Sequence, residues 1–216
     1  MSGHPRQRRS TGPFRIFVRS RCSGRLRHAV GAVLIFQLAI GDQLVVLPFG
    51  GDRAAAQVSR IMGALWATIL GPMVTRPSPE LEWFPSRRLR RLRASWGATL
   101  IGAVSIGLEC ISQIRTIDAV GLQIRNGLFF AGLALLASSV LGARLVWVPT
   151  VLAGAILFTL GHRFDDGRPQ RWAFTNVPST MTWTWWVAIA TAIAGLTAYT
   201  VFDSRAVREA RTDLIA

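Results

Sequence analysis

The sequence predicts an all-α, polytopic membrane helix bundle of about six transmembrane helices, with both termini cytoplasmic. Three observations predict it. Half of the 216 residues are hydrophobic. They fall in long stretches nearly free of charge, each close to the roughly 20 residues that cross a hydrocarbon core of about 30 Å. The charge lies just outside these stretches, whereas a soluble helix would carry charged residues along one whole face.

The segment from Met1 to His28 is basic and holds eight Arg. Within it, Phe14, Phe17, Val18 and Cys22 recur on one helical face, the pattern of a short helix lying among headgroups. The first span is expected from about Ala29 to Phe49. Asp42 follows Gly41 inside it, and an acid at that depth is costly unless it faces protein or water. Either Asp42 turns into the bundle, or the helix breaks at Gly41 and the remainder is interfacial or re-entrant. The start is basic and then hydrophobic, like a signal peptide, but no small-residue cleavage site follows, so it reads as a retained span.

The second span is expected over Gln57 to Thr75, with Arg60 near its start. A polar connector follows, in which Pro77, Pro79 and Pro85 exclude one continuous helix. Its cluster of Arg87, Arg88, Arg90, Arg91 and Arg93 marks the cytoplasmic side. The third span runs over Ala94 to Ile111, with Glu109 near its outer end. The fourth covers Asn126 to Ala143, the fifth Leu145 to Gly161 and the sixth Trp183 to Phe202. Trp183, Trp185 and Trp186 mark a membrane interface at the entry to the sixth. The tail from Asp203 to Ala216 reads as cytoplasmic. The domain plan is therefore a basic segment 1–28, a membrane domain 29–202 and a tail 203–216.

Orientation follows from the Arg distribution. Lys is absent, and all 25 basic residues are Arg. With the N-terminus inside, 18 of them fall on the cytoplasmic side and seven outside. The opposite orientation inverts that ratio and violates the positive-inside bias. The same placement explains the net charge of +14 without a nucleic-acid partner.

The usual catalytic constellations are missing. His4, His28 and His162 all lie outside the spans or at an edge, and neither HExxH nor a P-loop occurs. Cys22 and Cys110 are expected on opposite sides of the membrane, so neither a disulfide nor a zinc site is expected. Asp165 and Asp166 in the run DDGRPQR read as part of a hydrated outer loop. No cofactor, metal or catalytic residue is expected. The polar residues in or near spans are Asp42, Glu109, Arg125 and Asn126. Small residues spaced by four, such as Ala98 and Gly102, Ala103 and Gly107, Gly127 and Ala131, and Ala190, Ala194 and Ala198, allow close helix packing in lipid.

Two stretches carry a resemblance. SPELEWFPSRRLRRLRASWGATLIG resembles the second cytoplasmic connector of small actinobacterial membrane proteins that accompany ABC-type ATPases. IRNGLFFAGLALLASSVLGARLVWVP is similar to their fourth and fifth spans, and the ending W…GLTAYTVFDSR to their last. The resemblance implies the permease-like subunit of an ABC transporter, an exporter in the bacterial plasma membrane. It also implies a dimer of permease subunits and a separate ATPase that hydrolyses ATP. Glu80, Leu81 and Glu82 would form the ATPase contact, with Arg87, Arg88, Arg90 and Arg91 beside it. The alternative reading is a membrane interaction, assembly or immunity protein that transports nothing.

Overall fold

A computed structural model describes residues 24–40, 43–46, 55–75, 87–115, 120–142, 145–161 and 169–201. The expected interfacial helix at Phe14 to Cys22, Asp42, the Glu80–Leu81–Glu82 contact, the Asp165–Asp166 pair and the tail from Asp203 lie outside the described residues.

The described chain forms six helices and one short hairpin. They are α1 (Gly24–Ile40), β1 (Leu44–Val46), β2 (Ala55–Gln57), α2 (Ser59–Thr75), α3 (Arg87–Arg115), α4 (Leu122–Leu141), α5 (Trp147–Thr159) and α6 (Thr182–Val201). The strands pair antiparallel, Leu44 opposite Gln57 and Val46 opposite Ala55. Each expected span thus contains a helix, but several boundaries differ. The first helix ends at Ile40, and Leu44–Val46 turns into the hairpin instead of continuing to Phe49. The third begins seven residues before Ala94, within the Arg cluster. Arg is a good helix former whose long stem keeps its charge in water, so nothing in that run stops a helix. The fifth helix has only 13 residues.

Length and composition then separate the helices. The stretches Leu89–Ile114, Leu122–Leu141 and Thr182–Val201 are long and apolar enough to cross a membrane. At about 1.5 Å per residue, α5 reaches only about 20 Å and α2 about 26 Å. The bundle's outer surface is apolar as well: Ile106, Leu152, Trp186 and Ile193 are exposed on three different helices. A helix bundle in water would place polar side chains there.

α4 is the hub. It packs against α2, α3, α5 and α6, and its contact with α6 is the most extensive in the fold. Its buried share is 61%, against 33% for α6, so α6 is peripheral. The α4–α6 contact is made by backbone. A Cβ on Gly132 would come within 2.6 Å of the Ala192 Cα, and one on Gly195 would strike the Gly132 carbonyl. Ala188, Ala192 and Ala198 are buried on the same seam. Close approach through small residues is therefore real, although of the expected α6 stripe only Ala198 is buried. Ala190 and Ala194 are exposed. On α3, Ala98 and Ala103 are exposed, and a Cβ on Gly102 or Gly107 would meet nothing. Gly127 and Ala131 do pack, Gly127 directly against Ser105.

Gly195→Val should therefore force α4 and α6 apart and destabilise the fold by about 3 kcal/mol. Gly102→Val, on open surface, should cost less than about 1 kcal/mol. Thermal unfolding in detergent compares the two, and equal losses would contradict the backbone contact.

Candidate functional site

A group of buried polar residues gathers at one end of the bundle, where α2 and α4 begin, α3 and α5 end, and α6 begins. Arg125, Asn126, Gln123 and Thr184 are fully buried there, and Thr175, Asn176 and Glu109 nearly so. They serve two devices.

The first caps α4. Its N-cap residue, Gly121, has φ 88° and no side chain to bind the exposed amides of the first turn. Those amides need an acceptor. Glu109, one helix earlier, supplies it. Its Oε1 accepts from the Gly121 N–H at 3.0 Å and from Gln113 Nε2 at 2.9 Å. Its Oε2 accepts from the Ile124 N–H at 3.3 Å. A carboxylate at a helix N-terminus is also stabilised by the helix dipole. Glycine suits position 121 because the backbone is left-handed there, and a Cβ would lie 3.2 Å from the Trp185 ring.

The second device holds a buried loop. Residues 173–177 are all buried, although they belong to no helix or strand. Such a segment must find partners for its carbonyls. The Arg125 guanidinium is the main donor. Its Nη2 donates to Val177 O at 2.9 Å and Thr175 O at 3.3 Å. Its Nη1 donates to Pro178 O at 3.3 Å and to the Thr184 hydroxyl at 2.9 Å. A fifth bond, to Asn126 Oδ1 at 3.4 Å, joins the two side chains of the Arg–Asn pair. All five acceptors are neutral oxygens. Asn126 Nδ2 adds a bond to Thr175 O, and Arg60 Nη1 one to Asn176 O, each at 3.3 Å. Asn176 Nδ2 in turn donates to Leu157 O at 2.7 Å, satisfying a carbonyl at the end of α5. The short α5 ends where the loop folds back over it. Phe174 completes the contact edge-on to Phe129, with ring centroids 4.7 Å apart.

Of the residues singled out in the sequence, Glu109, Arg125 and Asn126 are brought to this one end. Arg60 points into it as well as lying near a helix start. Arg87, Arg90 and Arg91 are exposed at the far end of α3. Thr175, Asn176, Thr184 and Gln123 were not legible. They are ordinary polar residues whose role depends on meeting Arg125 across the fold, about 50 residues away in the chain for Thr175 and Asn176. Among the described residues, no group of three or more His, Cys, Asp or Glu could hold a metal ion. The chemistry of this end is anchoring: Glu109, Arg125, Asn126 and Asn176 all bond to other parts of the protein, while Arg125 Nε and Asn176 Oδ1 are buried without a hydrogen-bond partner among the described residues.

Arg125→Met removes the donors from several buried carbonyls and should destabilise the protein by at least about 3 kcal/mol. Arg125→Lys should recover little of this, since an ammonium cannot fork between separate acceptors. Glu109→Ala should cost about 1–2 kcal/mol, the value of a helix cap. Scanning fluorimetry in detergent orders the three, and a fully stable Arg125→Lys would show that the fork is unnecessary. No protein-family model matches the chain, and neither a curated protein nor a solved structure matches it.

Proposed function

We propose that this chain is the membrane-spanning, permease-like subunit of an ABC exporter in the bacterial plasma membrane, driven by a separate ATPase subunit. In this reading six helices are embedded, both termini are cytoplasmic, and the anchored polar end faces outward. The permease subunits pair as dimers. The chain itself hydrolyses nothing.

The observation that carries the reading is α3. It is unbroken over 29 residues, from Arg87 to Arg115. At about 1.5 Å per residue it is about 43 Å long, some 13 Å more than the hydrocarbon core. Its Arg-bearing first turns therefore project beyond the lipid, next to the connector with Glu80, Leu81 and Glu82. Its other end carries Glu109, which caps α4. A push on the connector is delivered along one rigid element to the hub of the bundle, as rigid-body coupling requires. The likeness of the connector to those of ATPase-associated membrane proteins points the same way.

One observation favours the non-transporting alternative. Glu109, Arg125 and Asn126 spend their hydrogen bonds inside the protein, so none is offered to a passing substrate. Capture of the partner decides between the two readings. Tagged protein purified from its native membrane should bring down a P-loop ATPase, and Glu80→Lys combined with Glu82→Lys should lower the yield at least tenfold. Absence of any ATPase, or capture indifferent to the double reversal, would leave the assembly or immunity reading. Orientation is read separately in a chain freed of Cys22 and Cys110. A membrane-impermeant thiol reagent should label Trp172→Cys in intact cells and Arg87→Cys only after lysis; the reverse pattern would invert the topology.

A further inference from the structure

A groove of about 200 Å³ opens between α1, α2 and α3. Leu34, Ile69, Met73, Leu100, Val104 and Gly107 line it, and all its other lining side chains are apolar too. It is open on one side, where Ala103 is exposed and a Cβ on Gly107 would meet nothing. Water has no partners in such a space, and an apolar cavity of about 150 Å³ already takes up a hydrocarbon. The α3 side of the groove lies within the apolar stretch Leu89–Ile114, where the surrounding medium would be acyl chain.

Charge identifies the rest of the ligand. Steps of seven residues return to nearly the same helix face, with a drift of about 20° per step. Arg93 is thus in line with Leu100 and Gly107, and Arg90 with Val104. Arg87 steps likewise to Leu108, and Arg87 and Arg90 are exposed, whereas Arg91 falls in line with Ala98 on the opposite face. Arg90 and Val104 are separated by about 21 Å along the helix. That is half of the ~40–45 Å thickness of a bilayer with its headgroups. A lipid whose chain end lies at Val104 therefore has its phosphate at Arg90. Clustered Arg beside a span attracts anionic headgroups.

We propose that the groove and the Arg-bearing start of α3 form one site for an anionic phospholipid, with an acyl chain in the groove and the phosphate between Arg87 and Arg90. The site depends on membrane embedding and not on an ATPase partner, so it is tested on the full chain alone.

Native mass spectrometry of delipidated protein, titrated with phosphatidylglycerol or with phosphatidylcholine of the same chains, reads it directly. One phosphatidylglycerol should be retained, at least tenfold more tightly than phosphatidylcholine. Ala103→Trp and Gly107→Leu each fill the groove from an unobstructed position and should lower its retention at least tenfold. Ala98→Trp, exposed on the opposite face of α3, should leave it unchanged. Arg87→Gln with Arg90→Gln should bring the two lipids to similar retention. Circular dichroism confirms that the variants stay helical. Wild-type retention in both groove variants, or equal retention of the two lipids by the unaltered protein, would overturn the proposal.

Discussion

The fold depends on one buried guanidinium. Residues 173–177 run through the interior without helical or strand pairing, and a buried carbonyl left alone costs about 1–3 kcal/mol. Arg125 offers a rigid fork of N–H donors and uses its two terminal amino groups on oxygens from the loop, from α6 and from its own neighbour Asn126, while its Nε has no hydrogen-bond partner among the described residues. Burying the charge is costly in its turn. The convergence of loop carbonyl dipoles offsets that cost without an opposing carboxylate. Because the loop then bonds α5 through Asn176 and α2 through Arg60, four helices meet at one side chain's work.

This explains why α4 carries the hub and why its ends are treated so differently from those of its neighbours. Its start is fastened by Glu109 from α3 and by Arg125 to the loop, and its middle presses glycine against glycine on α6. The α1 side is looser. There the α3 face keeps Ala103 exposed and Gly107 free of contact, and the groove opens. One end of α3 is therefore tied into the most tightly bonded part of the fold, while the other carries exposed Arg in its first turns. A helix joining such ends suits a subunit that receives force at one membrane face and responds at the other, and equally a subunit positioned by the lipids around it.

The sequence was most informative where a single stretch decides the outcome. Each long uncharged run contains a helix, because backbone groups removed from water are best satisfied within one segment. The Gly41–Asp42 interruption marked the end of α1, though the three-residue strand beyond it carried no alternating pattern of its own. Boundaries failed where charge was read as a stop signal: the Arg run is helical as well as basic. The helix in the fifth expected span is short, and Asn176 meets the Leu157 carbonyl near its end from a loop nineteen residues on, a long-range contact that no local pattern announces. In the same way, Arg125 and Asn126 were visible as a polar pair, while Thr175 and Thr184 gave no signal. Spacing by four found the small residues of α4 but only Ala198 on α6, because Ala is plentiful on every face of that helix.

Hydrogen exchange tests the role of the guanidinium most directly. The amides of Ala173, Asn176 and Val177 are bonded only to nearby carbonyls of the same segment, so their protection reports whether the segment stays docked. In the unaltered protein these amides should exchange as slowly as those in the middle of α4. In Arg125→Met they should exchange at least a hundredfold faster while α3 and α6 remain protected. Unchanged protection at Asn176 and Val177 in the variant would show that packing alone holds the loop, and that the fold does not turn on Arg125.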